Sequence, residues 1–259
     1  EEMGTRAALL ISLTDEARER QRASNADIIA TLRDRDAAFR RLRGLVNAAE
    51  ELRNAVATAE LRAALLLTAP PEVHEDIRLR LGFDIGRLRN ATARLAEECA
   101  TAGEGILLPF GSVNPNLPDW EEDLRRCAEE HGMRGIRLHP DWHQYRLDDP
   151  AVPRLLDLAG EQGLIVQITL LMEDERTRHP LVSLEKVDAA PLVTLAKERP
   201  ELSLILLNSQ RVLRGALQGE LAAAGVCFDI AMQEGVGGIR KLMDQVPFEQ
   251  ILFGSHAPF

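Results

Sequence analysis

The sequence predicts an α/β protein of the (β/α)8 barrel class that lacks the first strand and the last helix of the barrel. From Gly105 onwards, short apolar runs alternate with amphipathic segments, which is the pattern of a parallel sheet with helices between its strands. The runs are apolar along most of their length, as in strands that are covered on both faces. A doubly wound open sheet is the alternative, but no Gly-x-Gly-x-x-Gly motif follows the first predicted strand.

We predict seven strands, which begin at Arg6, Ile106, Gly135, Leu164, Leu202, Val226 and Ile251. The first covers Arg6 to Ser12, a continuous apolar run of strand length. Both ends of the sequence read as cut: Glu1 to Gly4 is typical of the last turn of a helix with its C-terminal glycine, and Phe259 directly follows a strand. We therefore expect a fragment of a longer barrel.

A long helical region follows the first strand, from about Asp36 to Leu67, and a second helix is predicted from Asp84 to Ala100. Apolar residues of the first region recur every three or four positions: Phe39, Leu42, Val46, Ala49, Leu52 and Val56. No strand is expected between Leu13 and Glu104. We interpret residues 36–83 as a helical insertion or cap within a single barrel domain over residues 1–259, serving as a lid or as a contact in a homo-oligomer.

Four of the remaining helices are predicted at Asp119 to His131, Pro150 to Glu161, Val212 to Ala224 and Gly237 to Gln245. A fifth, after the loop that follows the Leu164 strand, is predicted to end at Arg199. Asp119 and Glu122 have the spacing of a capping box, and Leu124 and Cys127 fall on the buried face of that helix. Gly163 is placed to end the following helix in the left-handed conformation.

Composition excludes several classes of partner. A formal net charge of -10 and a pI of about 5.2 argue against nucleic-acid binding, which needs a basic face. No apolar run approaches the roughly 20 residues of a membrane span, so no membrane association is expected. Cys99, Cys127 and Cys227 are widely spaced and form no paired motif, which indicates reduced thiols in a cytoplasmic protein.

The window from Gly135 to Pro150 is the richest in chemical groups. Because side chains alternate along a strand, Arg137 and His139 leave the same face. If this face is the interior of a barrel, both point towards the mouth, where barrel enzymes place their active sites. The alternative is a strand end followed by a polar loop with no chemical role.

Three stretches resemble the amidohydrolase-related family, a branch of the amidohydrolase superfamily of metal-dependent hydrolases and decarboxylases. They are G-I-R-L-H-P from Gly135, V-C-F-D-I-A from Val226 and I-L-F-G-S-H-A-P-F from Ile251. The resemblance implies a (β/α)8 barrel in which a divalent metal, usually zinc, lies at the carboxyl ends of the strands. Its ligands would be His-x-His on strand one, histidines that end strands five and six, and an aspartate that ends strand eight.

The chain departs from this pattern wherever it can be compared. Thr169, Asn208 and His256 stand at the positions of the two histidines and the aspartate, and strand one is absent. Threonine and asparagine are poor zinc ligands beside imidazole, thiolate or carboxylate. We therefore predict a degenerate or absent metal site and name no metal ligand; zinc binding would require ligands from strand one.

Other polar residues remain at the predicted mouth of the barrel. His256 and His139 are the candidate catalytic residues, because an imidazole titrates near neutrality and can act as a general base. The candidate substrate-binding residues are Arg137, Gln167, Thr169, Glu173, Arg176, His179 and Asn208. Arg137 and Arg176 could clamp a carboxylate.

Plainer readings stay open for some of these residues. The run Glu173 to Arg176 reads equally as a solvated charged loop, and Gln167 reads equally as a satisfied interior amide. Asp229 is expected to make an internal hydrogen bond or ion pair near the barrel mouth.

Three hypotheses follow for function. The first is a hydrolase or lyase of the amidohydrolase-related type that acts on a small carboxylated substrate, possible without a metal because related lactonases hydrolyse without one. The second is a non-catalytic relative that binds a small ligand. The third is an unrelated barrel enzyme whose motifs match by accident.

Overall fold

A computed structural model describes residues 2–68, 70–102, 107–172, 186–213 and 215–254 of the chain. Two compact units are distinguished, Glu1–Asn47 and Ala48–Phe259. The helices are α1 (Glu2–Thr68), α2 (His74–Ala102), α3 (Trp120–Glu129), α4 (Pro140–His143), α5 (Ala151–Glu161), α6 (Pro191–Lys197), α7 (Ala216–Ala223) and α8 (Gly238–Met243). The strands are β1 (Phe110–Ser112), β2 (Gly135–Leu138), β3 (Ile165–Thr169), β4 (Leu204–Leu207), β5 (Cys227–Asp229) and β6 (Ile251–Leu252).

The strand predicted at Arg6 to Ser12 is wrong, because these residues lie inside α1. The run is Ala-Ala-Leu-Leu-Ile between an arginine and a serine, and alanine and leucine are among the strongest helix formers. A short apolar run has no period that separates a buried strand from a helix. The other expectation for this region is met: the described residues between Leu13 and Ala102 contain no strand.

Within the second unit, the last part of α1 packs against α2. Its buried side chains are Ala48, Leu52, Ala55 and Ala59 on α1 and Leu81, Ile85, Leu88 and Ala91 on α2. Arg94 Nη1 donates to Glu51 Oε2 at 2.6 Å, and Arg62 pairs with Asp84 nearer the turn, so the two helices run antiparallel. The small alanine side chains let the helix backbones approach closely.

α2 also contacts the sheet domain. Arg89 Nε donates to Asp123 Oδ1 of α3 at 2.6 Å, and Ala96 joins the main core. In the first unit, Phe39 is 61% exposed and Val46 is 45% exposed, so the predicted apolar stripe is not buried there. The assignment of residues 36–83 as an insertion or cap stays a prediction.

The six strands form one parallel sheet in the order β1-β2-β3-β4-β5-β6, so spatial order follows chain order. Each strand is joined to the next by at least one helix, which is the connectivity of a (β/α)8 barrel. The described sheet holds six of the seven predicted strands. The fold is a partial barrel whose two outermost strands, β1 and β6, lie at the ends of the described sheet.

The main core lies between the sheet and the helices. Side chains on one face of the central strands are fully buried, among them Ile136, Leu138, Val166, Ile168, Leu206 and Phe228. They pack against apolar residues of the surrounding helices, including Leu124, Leu155, Leu192 and Leu221. The alternate residues of the same strands, such as Arg137 and Gln167, point to the other face and are more accessible. This other face is the inner face of the partial barrel.

Most helix predictions are confirmed to within a few residues, and Leu124 and Cys127 are buried as expected. The capping box is wrong: Asp119 has φ 61° and makes no side-chain cap, while its carbonyl oxygen accepts the N–H of Glu122. Gly163 adopts φ 65° after α5, as predicted.

All three cysteines are free, and burial raises the pKa of the Cys127 thiol to about 12, so it is an inert packing group. Across the described residues, no helix has both the length and the apolarity needed to cross a bilayer.

Gly135 at the start of β2 generates a stability prediction. A Cβ placed there would lie 2.3 Å from the Ile165 carbonyl oxygen and 2.3 Å from the Phe110 ring, and a strand backbone cannot easily move away. Gly135→Ala should therefore lower the free energy of unfolding by about 2 kcal/mol or more. The matched control is Gly160→Ala within α5, where the nearest atom is at 3.8 Å. It should raise stability by about 0.5–1 kcal/mol. Urea denaturation measures both, and equal effects would contradict the assigned strand packing.

Candidate active site

The strand register arranges the inner-face residues in two rows. The lower row, defined by the paired positions, comprises Ser112, Arg137, Gln167, Ile205 and Cys227. The upper row lies two residues nearer the carboxyl ends and comprises His139, Thr169, Leu207 and Asp229. Because the carboxyl ends of parallel strands form the mouth of a barrel, the upper row lies at the place where barrel enzymes carry their chemistry.

Arg137 is oriented by its neighbour on β3. Its Nε donates to Gln167 Oε1 at 2.8 Å, which is the contact that their paired register predicts. This bond uses the Nε edge of the guanidinium. The two terminal nitrogens make no other hydrogen bond among the described residues. They form the end of the side chain that can bind a carboxylate through two parallel hydrogen bonds. Burial lowers the pKa of Arg137, and the negative charge of Asp229 opposes that shift. Arg137 is the exposed residue of β2, so its cation also stays in contact with solvent.

His139 follows β2 in the same row as Thr169. Burial is the main cause that holds the pKa of His139 well below its ordinary value, and His143 and the Arg137 cation add to the effect. The rings of His139 and His143 meet edge to face, with centroids 5.5 Å apart. His139 is therefore neutral at pH 7, and its buried Nδ1 has no hydrogen-bond partner in the part of the chain that the structure describes.

Thr169 brings a second unsatisfied polar atom to the upper row. The residue is 2% exposed, and its Oγ1 has no hydrogen-bond partner within the described ranges. Buried hydroxyl groups are nearly always paired in folded proteins, because an unpaired one costs free energy of desolvation. Two such atoms on neighbouring strands indicate a place where a polar ligand can supply the missing partners.

Asp229 closes the upper row on β5. It accepts the backbone N–H of Asn208 on Oδ1 at 2.9 Å, as the expected internal hydrogen bond. Burial raises its pKa to about 6, while the bonds from the Asn208 and Ala231 N–H groups and the Arg137 charge act in the opposite direction. Arg137 and Asp229 lie three strands apart and still interact electrostatically, which is consistent with a sheet that curves around a shared interior.

Asn208 and Asp141 contact the segment that leaves β3. Asn208 Nδ2 donates to the carbonyl oxygen of Leu171 at 2.8 Å, and the Met172 N–H donates to Asp141 Oδ2 at 2.9 Å. Sequence reasoning missed Asp141. The available signal was an aspartate in the first turn after His139-Pro140, the position at which a carboxylate can accept nearby backbone N–H groups.

The structure brings four of the predicted site residues together on one face: Arg137, His139, Gln167 and Thr169. Asn208 ends the adjacent strand, with its amide directed to Leu171. Glu173, Arg176, His179 and His256 lie outside the described residues, so their roles stay predictions. A cavity of about 410 Å³ is lined by residues of α4 and of the α4–α5 connection, including Asp141 and Tyr145, and by Lys186, Val187, Asp188 and Pro191.

The residues that the structure describes at this site do not fit a catalytic zinc or manganese ion. Such sites need about three imidazole, thiolate or carboxylate ligands that converge on one point. The described part of the chain contains no group of three such side chains. Thr169 and Asn208 offer only neutral oxygens, and the amide nitrogen of Asn208 faces a carbonyl oxygen. The Arg137 guanidinium in the adjoining row would repel a divalent cation.

Comparison with known proteins finds similarity in part of the sequence and in the fold. A family model described as amidohydrolase matches residues 78–184. A 2,6-dihydroxybenzoate decarboxylase, complexed with 2,6-dihydroxybenzoate, superposes with a TM-score of 0.50 and 18% sequence identity over 68% of this chain and 67% of that one. The 2,6-dihydroxybenzoate decarboxylase from Rhizobium gives a TM-score of 0.50 and 18% identity over 68% of each chain.

A third structure is the 5-carboxyvanillate decarboxylase from Novosphingobium aromaticivorans, complexed with manganese and 4-hydroxy-3-methoxy-5-nitrobenzoic acid. Its TM-score is 0.50 at 14% identity, over 65% of this chain and 59% of that one. No curated protein matches the sequence. At these identities the structural likeness shows the fold, a partial (β/α)8 barrel.

The raised pKa of Asp229 predicts an unusual pH dependence of stability. Its folded-state pKa of about 6 exceeds the ordinary 3.8, so the folded protein binds this proton more readily than the unfolded chain between those values. Ionisation of Asp229 therefore lowers the free energy of unfolding, with a cost that grows as the pH rises from about 4 and is fully present above pH 6. Relative to wild type, Asp229→Asn should gain about 2 to 3 kcal/mol between pH 4 and pH 7.

Urea denaturation at the two pH values measures this difference. The control is Asp148→Asn, an exposed carboxylate whose pKa is lowered by its hydrogen bond with Arg146, so its small contribution should change in the opposite direction. An unchanged difference between wild type and Asp229→Asn at pH 4 and pH 7 would contradict the assigned environment of Asp229.

Proposed function

We propose that this chain is a member of the amidohydrolase superfamily and a hydrolase or lyase that acts on a small carboxylated molecule, with a degenerate or absent metal site. The observation that carries the proposal is the Arg137 guanidinium, which Gln167 holds at its Nε and whose terminal nitrogens make no other hydrogen bond among the described residues. Two of the similar structures hold aromatic carboxylate ligands, which supports the choice of substrate class.

In this proposal, Arg137 binds the carboxylate of the substrate through two parallel hydrogen bonds. Gln167 fixes the plane of the guanidinium, so little side-chain freedom is lost when the ligand binds. The partial burial that lowers the pKa of Arg137 also strengthens its attraction for an anion, since solvent screens the pair less. Arg176, which the sequence predicts for the same carboxylate clamp, would add a second guanidinium.

His139 and Thr169 act on the part of the substrate nearer the barrel mouth. The neutral imidazole of His139 has one ring nitrogen that can accept a proton and one that can donate a hydrogen bond. The Thr169 hydroxyl gains in the bound ligand the partner that it lacks among the described residues. His256 is the second candidate for proton transfer, and Glu173 and His179 are proposed to complete the binding site.

A non-catalytic, ligand-binding relative is the second candidate. The strongly lowered pKa of His139 favours it, because a general base works best when its pKa is near the working pH. Multiple turnovers of a carboxylated substrate separate the two candidates: an enzyme converts more than one equivalent, whereas a binding protein leaves the ligand unchanged.

Binding of benzoate and 2,6-dihydroxybenzoate, followed by calorimetry, tests the proposed site. Arg137→Gln should weaken binding by about tenfold or more, and Arg137→Lys should lose most of the affinity because an ammonium cannot form the two-bond fork. Thr169→Val keeps the shape and removes the hydroxyl, and should weaken binding by roughly fivefold. The matched control is Arg146→Gln, an exposed arginine paired with Asp148, which should bind as wild type does. Equal affinities for the wild type and all four variants would refute the site.

Elemental analysis of the purified protein tests the metal assignment. Because Thr169 and Asn208 stand where the family is expected to place histidines, we expect zinc and manganese well below one equivalent, and activity that survives a chelator. Stoichiometric metal that disappears in Thr169→Val or Asn208→Gly would show that these residues do form a metal site.

A further inference from the structure

The end of β3 is held by side chains that follow both of its neighbours in the sheet. On one side, Asn208 after β4 donates its amide N–H to the carbonyl oxygen of Leu171 at 2.8 Å. On the other side, Asp141 after β2 accepts the N–H of Met172 at 2.9 Å. One peptide unit is thus bound at its two ends from opposite directions.

Both holding residues are themselves fixed and buried, each 6% exposed. Asp141 accepts the Trp142 N–H with its other carboxylate oxygen at 2.9 Å, which ties it to the first turn of α4. Asn208 has φ 55°, and its backbone N–H donates to Asp229 at 2.9 Å. The end of β3 is therefore connected to β2, β4 and β5 by hydrogen bonds that do not belong to the strand ladder.

Ladder bonding stops just before this point. The last backbone bond between β3 and β4 on this side runs from the Leu170 N–H to the Leu207 carbonyl oxygen at 3.1 Å. Thr169 immediately precedes Leu170. The side-chain bonds at 171 and 172 therefore continue the support of β3 directly beyond the last bond of the ladder.

We infer that Asp141 and Asn208 are positioning residues, which hold the end of β3 so that Thr169 and Gln167 keep their places beside His139 and Arg137. The inference rests on the proposed function, because the placement of Thr169 matters for activity only if a ligand binds there. Neither residue needs to touch the ligand. Both oxygens of Asp141 accept backbone N–H groups, and the amide nitrogen of Asn208 donates to a backbone oxygen.

Three variants separate positioning from general stability. Asn208→Asp keeps the size and the tolerance for positive φ but presents an oxygen to the Leu171 carbonyl. Asp141→Ala removes both acceptors, while Asp141→Asn retains one oxygen for the Met172 N–H and should rescue. The control is Asp157→Ala, which breaks the ion pair between Asp157 on α5 and Arg199 after α6.

Two measurements are made on each full-length variant: amide hydrogen exchange of residues 169–172 and the Kd for benzoate. Asn208→Asp and Asp141→Ala should exchange at least about tenfold faster there and bind benzoate roughly three- to tenfold more weakly. Asp141→Asn and Asp157→Ala should stay near wild type in both. If Asp141→Ala fails to fold, Asn208→Asp alone decides the outcome.

The contrary results are distinct. Faster exchange with unchanged benzoate affinity would overturn the positioning role and leave a purely structural one. Unchanged exchange in Asn208→Asp would overturn the anchoring itself. Wild-type protein that binds no benzoate would count against the proposed function, and faster exchange confined to residues 169–172 would then still support the anchoring.

Discussion

The register between β2 and β3 is the constraint on which the site depends. Pairing of Arg137 with Gln167 places a guanidinium and its orienting amide on the inner face, and the same pairing carries His139 and Thr169 to the mouth. A shift by one residue would turn all four side chains into the apolar layer under the helices, where a buried cation has no partner. Fully buried Ile136 and Ile168 prevent that shift, because they fill the opposite face.

The charges among the described residues of the site are arranged differently from those of a metal centre. A metal centre gathers anionic or imidazole ligands around a cation, whereas here the protein supplies the cation itself through Arg137. His139 is neutral, and Asp229 directs one oxygen to the Asn208 N–H. The raised pKa of Asp229 and the lowered pKa of His139 have burial as their common first cause. At pH 7 a carboxyl group with a pKa of about 6 is mostly ionised, so Asp229 is the negative charge that interacts with the Arg137 cation.

The sequence predicted the parallel sheet and the shared face of Arg137, His139, Gln167 and Thr169, because strand periodicity is a local property of the chain. It failed at Arg6 to Ser12, where an apolar run without a period suits a helix as well as a strand. It also failed at Asp119, whose left-handed backbone removes the geometry that a capping box needs. The role of Asp141 depends on Met172, thirty-one residues later in the chain, and no local pattern reports such a contact.

The bond from Asn208 to Leu171 has a consequence for protein engineering. The left-handed backbone of Asn208 and its amide bond to Leu171 are part of the support for the end of β3. A histidine placed at this position as a metal ligand would have to turn its ring towards the metal, and the Leu171 carbonyl oxygen would lose its donor. Building a metal site here would therefore require a new hydrogen-bond donor for the end of β3 as well as new ligands.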